Sequence, residues 1–331
     1  MSLAGDVESP SSYRAWQWHD GSEPRMLALD QLDMPPLAAG DVLVRNAIIG
    51  LNPVDWKVLG KLPWEPGHVP GVDGAGTVVA LGAGVAGDWV GQRVAYHQDL
   101  QRHGSFAEYT PLAARALLRL PDAVDFETAA SFPCPALTAW LALEKVPVRA
   151  GQALLVSGAG GAVGHYLVQL AVARGFSVTT MSHPRHWERL LALGADDCLS
   201  GPQAPGATWP EDGKRFFGVV DTVNGTHARG LATALRANGH LVAIQDRVPD
   251  WPLPPFGKAI SLHEVALGAL HQHGDDADWA QLTAAGERLL QEFANGRLRP
   301  EATVVRDFAA LPDLLEALRQ RQFSGKPLIR I

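Results

Sequence analysis

Cysteine is nearly missing from this chain: Cys134 and Cys198 are the only two in 331 residues, with no C-x-x-C spacing. That excludes a disulfide framework and fits a reducing compartment. Basic runs are missing too, and 28 Lys and Arg against 35 Asp and Glu leave a net charge of -7. Nucleic acid and anionic membranes are therefore poor candidates for the main partner, and small molecules are better ones. No run of about 18 apolar residues is available to span a bilayer, and the first dozen residues lack the basic-then-apolar order of a secretory signal. The expectation is a cytoplasmic protein. Internal repeats and low-complexity tracts are absent, and residues 1–12 (MSLAGDVESPSS) read as a small, polar, disordered lead. The length exceeds what one hydrophobic core usually supports, so two domains are expected.

What the chain does have is glycine in one telling place, the stretch ALLVSGAGGAVGHYLVQLAVARG over residues 153–175. Ala153, Leu154, Leu155 and Val156 form the short apolar run of a central parallel strand. The segment Gly158, Ala159, Gly160, Gly161, Ala162, Val163, Gly164 follows, and Val163, Leu167, Leu170 and Ala171 make a helical stripe beyond it. Alanine stands for the first glycine of G-x-G-x-x-G, but strand, turn, helix and the next strand, FSVTTM, fall in the expected order. The helix start carries no acid, and free backbone N–H groups there suit a pyrophosphate. This is read as a dinucleotide site.

Before it the chain is mostly β. Tyr13–His19, Met26–Leu29 and Asp41–Ile49 read as strands, and PGVDGAGTVVALGAGV, GQRVAYH and GSFAEYT continue in the style of a compact barrel. From Asp125 the period turns helical, with Pro133 and Pro135 separating two helices. After Gly151 strands and helices alternate: strand 153–157, helix 162–174, strand 176–181, helix 186–193, a strand near Cys198, strand FFGVVDTV, helix 226–236, a Gly239 turn and strand HLVAI. Alternation predicts a doubly wound parallel sheet. ISLHEVAL (260–267) reads as a final strand, 278–295 as a long helix, and 302–306, 311–320 and PLIRI as strand, helix, strand.

Together with GLNPVDWKVLG, AASFPCPALTAW, LGADDCL, VVDTVNG, ANGHLVAIQ and SGKPLIRI, these segments resemble the medium-chain dehydrogenase/reductase superfamily, in its zinc-free quinone oxidoreductase-like branch. The resemblance covers nearly the whole chain. It implies an α/β protein: a GroES-like β-barrel catalytic domain from residues 1–128 and 275–331, a Rossmann doubly wound parallel sheet from 129–274, and an active site in the cleft between them. It also implies a homodimer in which ISLHEVAL pairs with its symmetry mate. Zinc-dependent relatives use a cysteine, a histidine and a second cysteine; Asn52 and Val72 stand at the first two positions here and only Cys134 remains. An amide and an isopropyl group cannot complete a tetrahedral N/S site, so no metal is expected.

Without a metal, hydride from a reduced nicotinamide suits a conjugated acceptor, a quinone or an α,β-unsaturated carbonyl. By resemblance Asn52, Thr138, Ile244, Gln245 and Asn224 lie about the nicotinamide. Asp55 either orients Asn52 or serves as a helix N-terminal carboxylate. Trp56, Trp64 and Tyr96 are either walls of an apolar acceptor pocket or barrel core. His271, His273, Asp275 and Asp276 look like metal ligands but read as a solvated loop. Where NAD-binding folds place an acid after the second strand, this chain has Ser182, with His183 and Arg185 behind it. That selects NADPH, whose 2′-phosphate a carboxylate would repel and a guanidinium would hold. The competing readings are a zinc-type alcohol dehydrogenase relative and a cofactor-binding protein with little turnover.

Overall fold

The computed structural model describes residues 10–207 and 209–331; most of the polar lead expected at residues 1–12 lies outside them. The chain divides into two compact units, one running to Cys134 and resuming over Gly268–Ile331, the other Pro135–Leu267.

In chain order the first unit contains β1 (Ser12–Gln17), β2 (Ala28–Asp33), β3 (Asp41–Gly50), α1 (Pro53–Lys57), β4 (Asp73–Leu81), β5 (Arg93–His97), β6 (Tyr109–Ala113), β7 (Leu117–Arg119) and α2 (Phe126–Ser131). After α3 (Pro133–Glu144), the second unit holds β8 (Ala153–Ser157), α4 (Ala162–Ala173), β9 (Ser177–Ser182), α5 (Trp187–Ala192), β10 (Asp197–Ser200), β11 (Phe216–Asp221), α6 (Gly225–Leu231), β12 (Leu235–Ala243) and β13 (Ser261–Glu264). The chain then returns with α7 (Ala269–His273), α8 (Asp276–Ala294), β14 (Thr303–Asp307), α9 (Leu311–Arg319) and β15 (Lys326–Arg330).

The first unit is built on a mostly antiparallel sheet ordered β14-β15-β3-β4-β5-β7, with β6 also on β3. Its middle is legible in the residues: β3 is DVLVRNAIIG, buried at eight of its ten positions, as suits a strand covered on both faces. The glycines of β4 allow close approach. A Cβ at Gly74 would lie 2.3 Å from the Tyr96 hydroxyl, and one at Gly76 2.0 Å from the Arg45 carbonyl. Strand register then sets the polar residues. Gly50 pairs with Asp73 and Asp73 with His97, while Leu328 of β15 pairs with Gly50 from the other side. Just beyond that pairing, the Lys326 side chain reaches Asn52. Below this lies an apolar core of Tyr13, Ile49, Leu51, Phe106, Leu315 and Ile329.

The second unit is one parallel sheet in the order β10-β9-β8-β11-β12-β13. Numbered from β8 this is 3-2-1-4-5-6, the doubly wound order that places a nucleotide at the carboxyl ends of its strands. Every residue of β8 is buried.

Several segments differ from expectation, among them the following. The second strand is Ala28–Asp33 because Pro24–Met26 forms a 3-10 turn in front of it. The helix expected to reach 236 ends at Leu231, and β12 begins at Leu235. Asn238, at φ 58°, takes the left-handed bend that asparagine tolerates, so the strand runs through Gly239 instead of starting after it. The loop carrying His271 and His273 is the short helix α7.

Two histidines of the first unit are held neutral by their surroundings. Burial, then the neighbouring His103, lowers His68 from 6.5 to about 4; burial, then His97, does the same for His271. The Nε2 atoms of both are buried without a hydrogen-bond partner. A base depressed on folding is protonated in the unfolded chain first. Its stabilising contribution is therefore complete above about pH 6.5 and lost as pH falls toward 4. His68→Phe should retain the stacking on Trp64, whose ring lies 4.1 Å from that of His68. It should also flatten the decline of stability between pH 6.5 and 4 by at most about 1.4 kcal/mol per pH unit. Urea melts of both proteins across that window check this; identical slopes would contradict it.

Candidate functional site

The glycine turn of the second unit divides its glycines between two tasks. Gly158 has φ +71°, and a Cβ there would lie 2.3 Å from Thr222 Oγ1; one at Gly164 would lie 2.4 Å from the Ala159 carbonyl. Those two let strand, turn and helix close on each other. Gly161 is different: its backbone is extended, and an added Cβ meets nothing within 4 Å. It caps α4 without a side-chain bond, and the first turn of that helix has no acid. The unpaired N–H groups of a helix start thus border open space, which fits an anionic pyrophosphate.

Beyond β9 the expected phosphate residues are unequal. Ser182 is buried and its hydroxyl donates to the His183 carbonyl at 3.4 Å. Arg185 is exposed, with Nε 3.0 Å from His186 Nε2, and its backbone N–H donates to His183 Nδ1. Two residues escaped the sequence reading. His186 packs its ring against Gly160, where a Cβ would come within 2.5 Å of it. Arg189 donates to the Gly160 carbonyl at 2.8 Å and lies 3.0 Å from His165 Nδ1. The visible signal was a second arginine one turn into α5. Burial, with Arg185, Arg189 and His183 nearby, holds the His186 imidazole below its ordinary range. Asn224 is exposed and caps α6 by accepting from His227 N at 2.9 Å. Ile244 donates its N–H to the Asp221 carbonyl, Gln245 is half-buried, and Thr138 is mostly buried on α3.

The first unit assembles a buried polar cluster around Asp73, which is fully buried. Its Oδ1 accepts from His97 Nδ1 at 2.9 Å, and its Oδ2 from Asn52 Nδ2 at 2.8 Å. The Cys134 N–H donates to both oxygens, at 3.1 and 2.9 Å. Lys326, also buried, donates to Asn52 Oδ1 at 2.5 Å and holds its ammonium 3.6 Å from Asp73 Oδ2. Asn52 therefore has both ends of its carboxamide engaged inside this unit. Asp55 sits in the first turn of α1, where both its oxygens face backbone N–H groups. Its Oδ2 accepts the Asn52 N–H at 2.7 Å and its Oδ1 the Val72 N–H at 3.2 Å, so it fixes backbone, not the Asn52 side chain. Burial raises its carboxyl to about 8, against the pull of those N–H groups and of Lys326.

Asp73, His97 and Cys134 bring ligand-type atoms within 4.8 Å of one another, the one such group among the described residues. Their hydrogen bonds do not fit a metal. A carboxylate offers about four lone-pair sites, and those of Asp73 already face four donors, one of them the ring nitrogen of His97. His271 and His273 are not gathered with acids into such a group, and Asp275 caps α8 by accepting from Asp278 N. Of the three aromatics, Tyr96 is sealed in the barrel, its hydroxyl bonded to Asn46 and Thr110. Trp64 is buried, with Nε1 on the Leu100 carbonyl. Both are core, and only Trp56 stays half-buried at the edge of the apolar cluster.

Residues 38–122 match the family described as the alcohol dehydrogenase GroES-like domain. The chain is 31% identical over 226 residues to a chloroplast envelope quinone oxidoreductase homolog of Arabidopsis thaliana, covering 65% of this chain and 69% of that protein. It is 29% identical to a trans-enoyl reductase of Fusarium heterosporum, covering 94% and 96%. Among solved structures, an alcohol dehydrogenase superfamily protein from Novosphingobium aromaticivorans superposes with a TM-score of 0.84 at 26% identity, over 96% of this chain and 99% of that one. Together these place both the barrel and the parallel sheet in one known architecture.

The division of labour among the glycines is testable. Gly161→Val should fold, because its backbone is extended and the space beside it is open. It should also weaken nicotinamide dinucleotide binding at least about a hundredfold, near 2.7 kcal/mol, by filling the pyrophosphate's place. Gly164→Val should fail to fold, since its side chain would meet the Ala159 backbone. Circular dichroism and calorimetric titration separate the two; undiminished binding by Gly161→Val would make the turn merely structural.

Proposed function

This chain belongs to the medium-chain dehydrogenase/reductase superfamily, and on that footing we propose that it is an NADPH-dependent reductase that passes hydride to a quinone or an α,β-unsaturated carbonyl without a metal. The observation that carries the reading is the cluster around Asp73. An amide and an isopropyl group stand at two ligand positions, and the carboxylate beside them is surrounded by N–H donors and an ammonium. The carboxylate's own acceptor sites thus face donors, which makes it a poor ligand for a Lewis acid. A carbonyl whose charge is localised on one oxygen needs a metal or a positioned acid to stabilise it; a quinone or enone delocalises that charge and depends on neither as strongly.

The cofactor would supply hydride from C4 of its reduced nicotinamide. The chain's own residues bind and orient it: the N–H groups at the start of α4 take the pyrophosphate, and Gly161 leaves it room. Thr138, Asn224, Ile244 and Gln245 are proposed to flank the nicotinamide, with Trp56 left as the apolar wall. Arg185, exposed beside His183 and His186, is proposed as the ligand of the 2′-phosphate, with Arg189 adding positive charge on the Gly160 side. The quinone oxidoreductase and enoyl reductase names of its relatives support the acceptor class. A homodimer in a reducing cytoplasm completes the reading. β13 ends the parallel sheet and leaves strand hydrogen-bonding groups for a symmetry mate, and no helix of the described residues is long and apolar enough to cross a membrane.

Cofactor oxidation, followed by its absorbance against a panel of quinones and enones, tests the activity; no oxidation with any acceptor would favour a binding protein without turnover. Arg185→Ala tests the cofactor. Losing one charge-assisted contact of about 1.5–3 kcal/mol should lower kcat/KM with NADPH about ten- to a hundredfold and leave NADH nearly untouched. Equal losses with both, or a native preference for NADH, would place the 2′-phosphate elsewhere.

A further inference from the structure

The glycine turn of the second unit is restrained from outside its own segment. We propose that Arg189 is a positioning residue of the dinucleotide site, fixing the peptide between Gly160 and Gly161 so that its carbonyl oxygen stays away from an incoming pyrophosphate, an inference that rests on the dinucleotide reading of that turn. Every group involved belongs to the second unit. Three observations carry it. First, the peptide joining Gly160 to Gly161 has a glycine on each side, so no Cβ resists its rotation. Inside the turn it is held by the Gly161 N–H, which donates to the Gly158 carbonyl at 3.4 Å, the weak end of the hydrogen-bond range. Second, the carbonyl of that peptide is gripped from α5, where Arg189 Nη2 donates to it at 2.8 Å. Nη1 of the same guanidinium lies 3.0 Å from Nδ1 of His165, a buried residue of α4. A guanidinium has no acceptor, so Nδ1 accepts, and one planar fork joins turn and helix. Third, the His186 ring lies against Gly160, where an added Cβ would meet it at 2.5 Å.

A trans peptide points its oxygen and its N–H in opposite directions. If this one turned over, an oxygen would stand where an N–H now lies, in a turn that receives an anion, and its partial negative charge would oppose the pyrophosphate. Arg189 holds the oxygen on the α5 side and prevents this. The pyrophosphate is common to NADH and NADPH, so Arg189 acts on both alike. Arg185 differs, because its exposed guanidinium lies against His186 and is assigned above to the 2′-phosphate, which only NADPH carries.

Calorimetric titration with NADPH and with NADH tests this. Arg189→Met, which keeps the reach of the side chain without its donors, should weaken both about tenfold and change their ratio by less than about twofold. Arg189→Lys keeps the charge but has no fork to engage the Gly160 carbonyl and His165 together, so its affinities should stay within about threefold of those of Arg189→Met. Nitrogen-15 relaxation in glycine-labelled protein reads the peptide itself: the Gly161 amide should show one state in the native protein and exchange between two in Arg189→Met. Native affinity in a folded Arg189→Met overturns the proposal, and so does a Gly161 amide equally steady in both proteins. Full recovery in Arg189→Lys overturns it too, since charge alone would then suffice. A loss confined to NADPH would make Arg189 a 2′-phosphate ligand instead. Should Arg189→Met not fold, Arg189→Lys carries the test, and native affinity in it overturns the proposal. If the native protein binds neither cofactor, it is the dinucleotide reading that fails, and this inference goes with it.

Discussion

The carboxylate of Asp73 is the constraint on which the first unit depends. It is a charge taken wholly out of water, a condition that costs several kcal/mol unless donors surround it. The donors come from four distant places in the chain: Asn52 after β3, His97 at the end of β5, Cys134 at the start of α3 and Lys326 at the start of β15. One buried charge thus ties the C-terminal strand to the N-terminal barrel. The tie works because β15 enters the sheet beside β3 in a register that lets the Lys326 side chain reach Asn52. Removing either partner would leave the other charge buried and unpaired, a larger penalty than the pair's own net contribution.

The same arrangement bears on the proposal that this chain reduces conjugated acceptors without a metal. The ammonium of Lys326 and the amide of Asn52 supply, inside the unit, the positive charge and donors that balance Asp73. On the proposed reading, electrophilic activation comes from the acceptor's own conjugation. The second unit contributes a backbone cradle at the carboxyl end of β8, built so that two glycines close the turn and a third leaves it open.

Much of this was legible in the residues, and the boundary of legibility is physical. Signals that repeat within one element came through: the buried run of β8, the glycine turn, the helical stripe of α4 and the strand–helix alternation that gives a 3-2-1-4-5-6 sheet. The Asp73 cluster did not, because its members stand at 52, 73, 97, 134 and 326 and are joined by strand register, which no local pattern encodes. Two hints were present. Asp73 is an acid in an otherwise apolar glycine strand, and Lys326 opens a strand that is buried at its first four positions. Tyr96 and Trp64 were open to two readings because an aromatic with a polar tip suits a wall or a core. The barrel decided by supplying Asn46, Thr110 and the Leu100 carbonyl as internal partners.

The claim that the Asp73 cluster has replaced a metal site is tested most directly by metal content. The protein would be produced in zinc-supplemented medium, dialysed, and analysed by mass spectrometry for zinc and other divalent metals. A hydrogen-bonded carboxylate facing an ammonium predicts a content far below one ion per chain, unaffected by Cys134→Ser. Close to one zinc per chain, lost in Cys134→Ser, would contradict the account at its root.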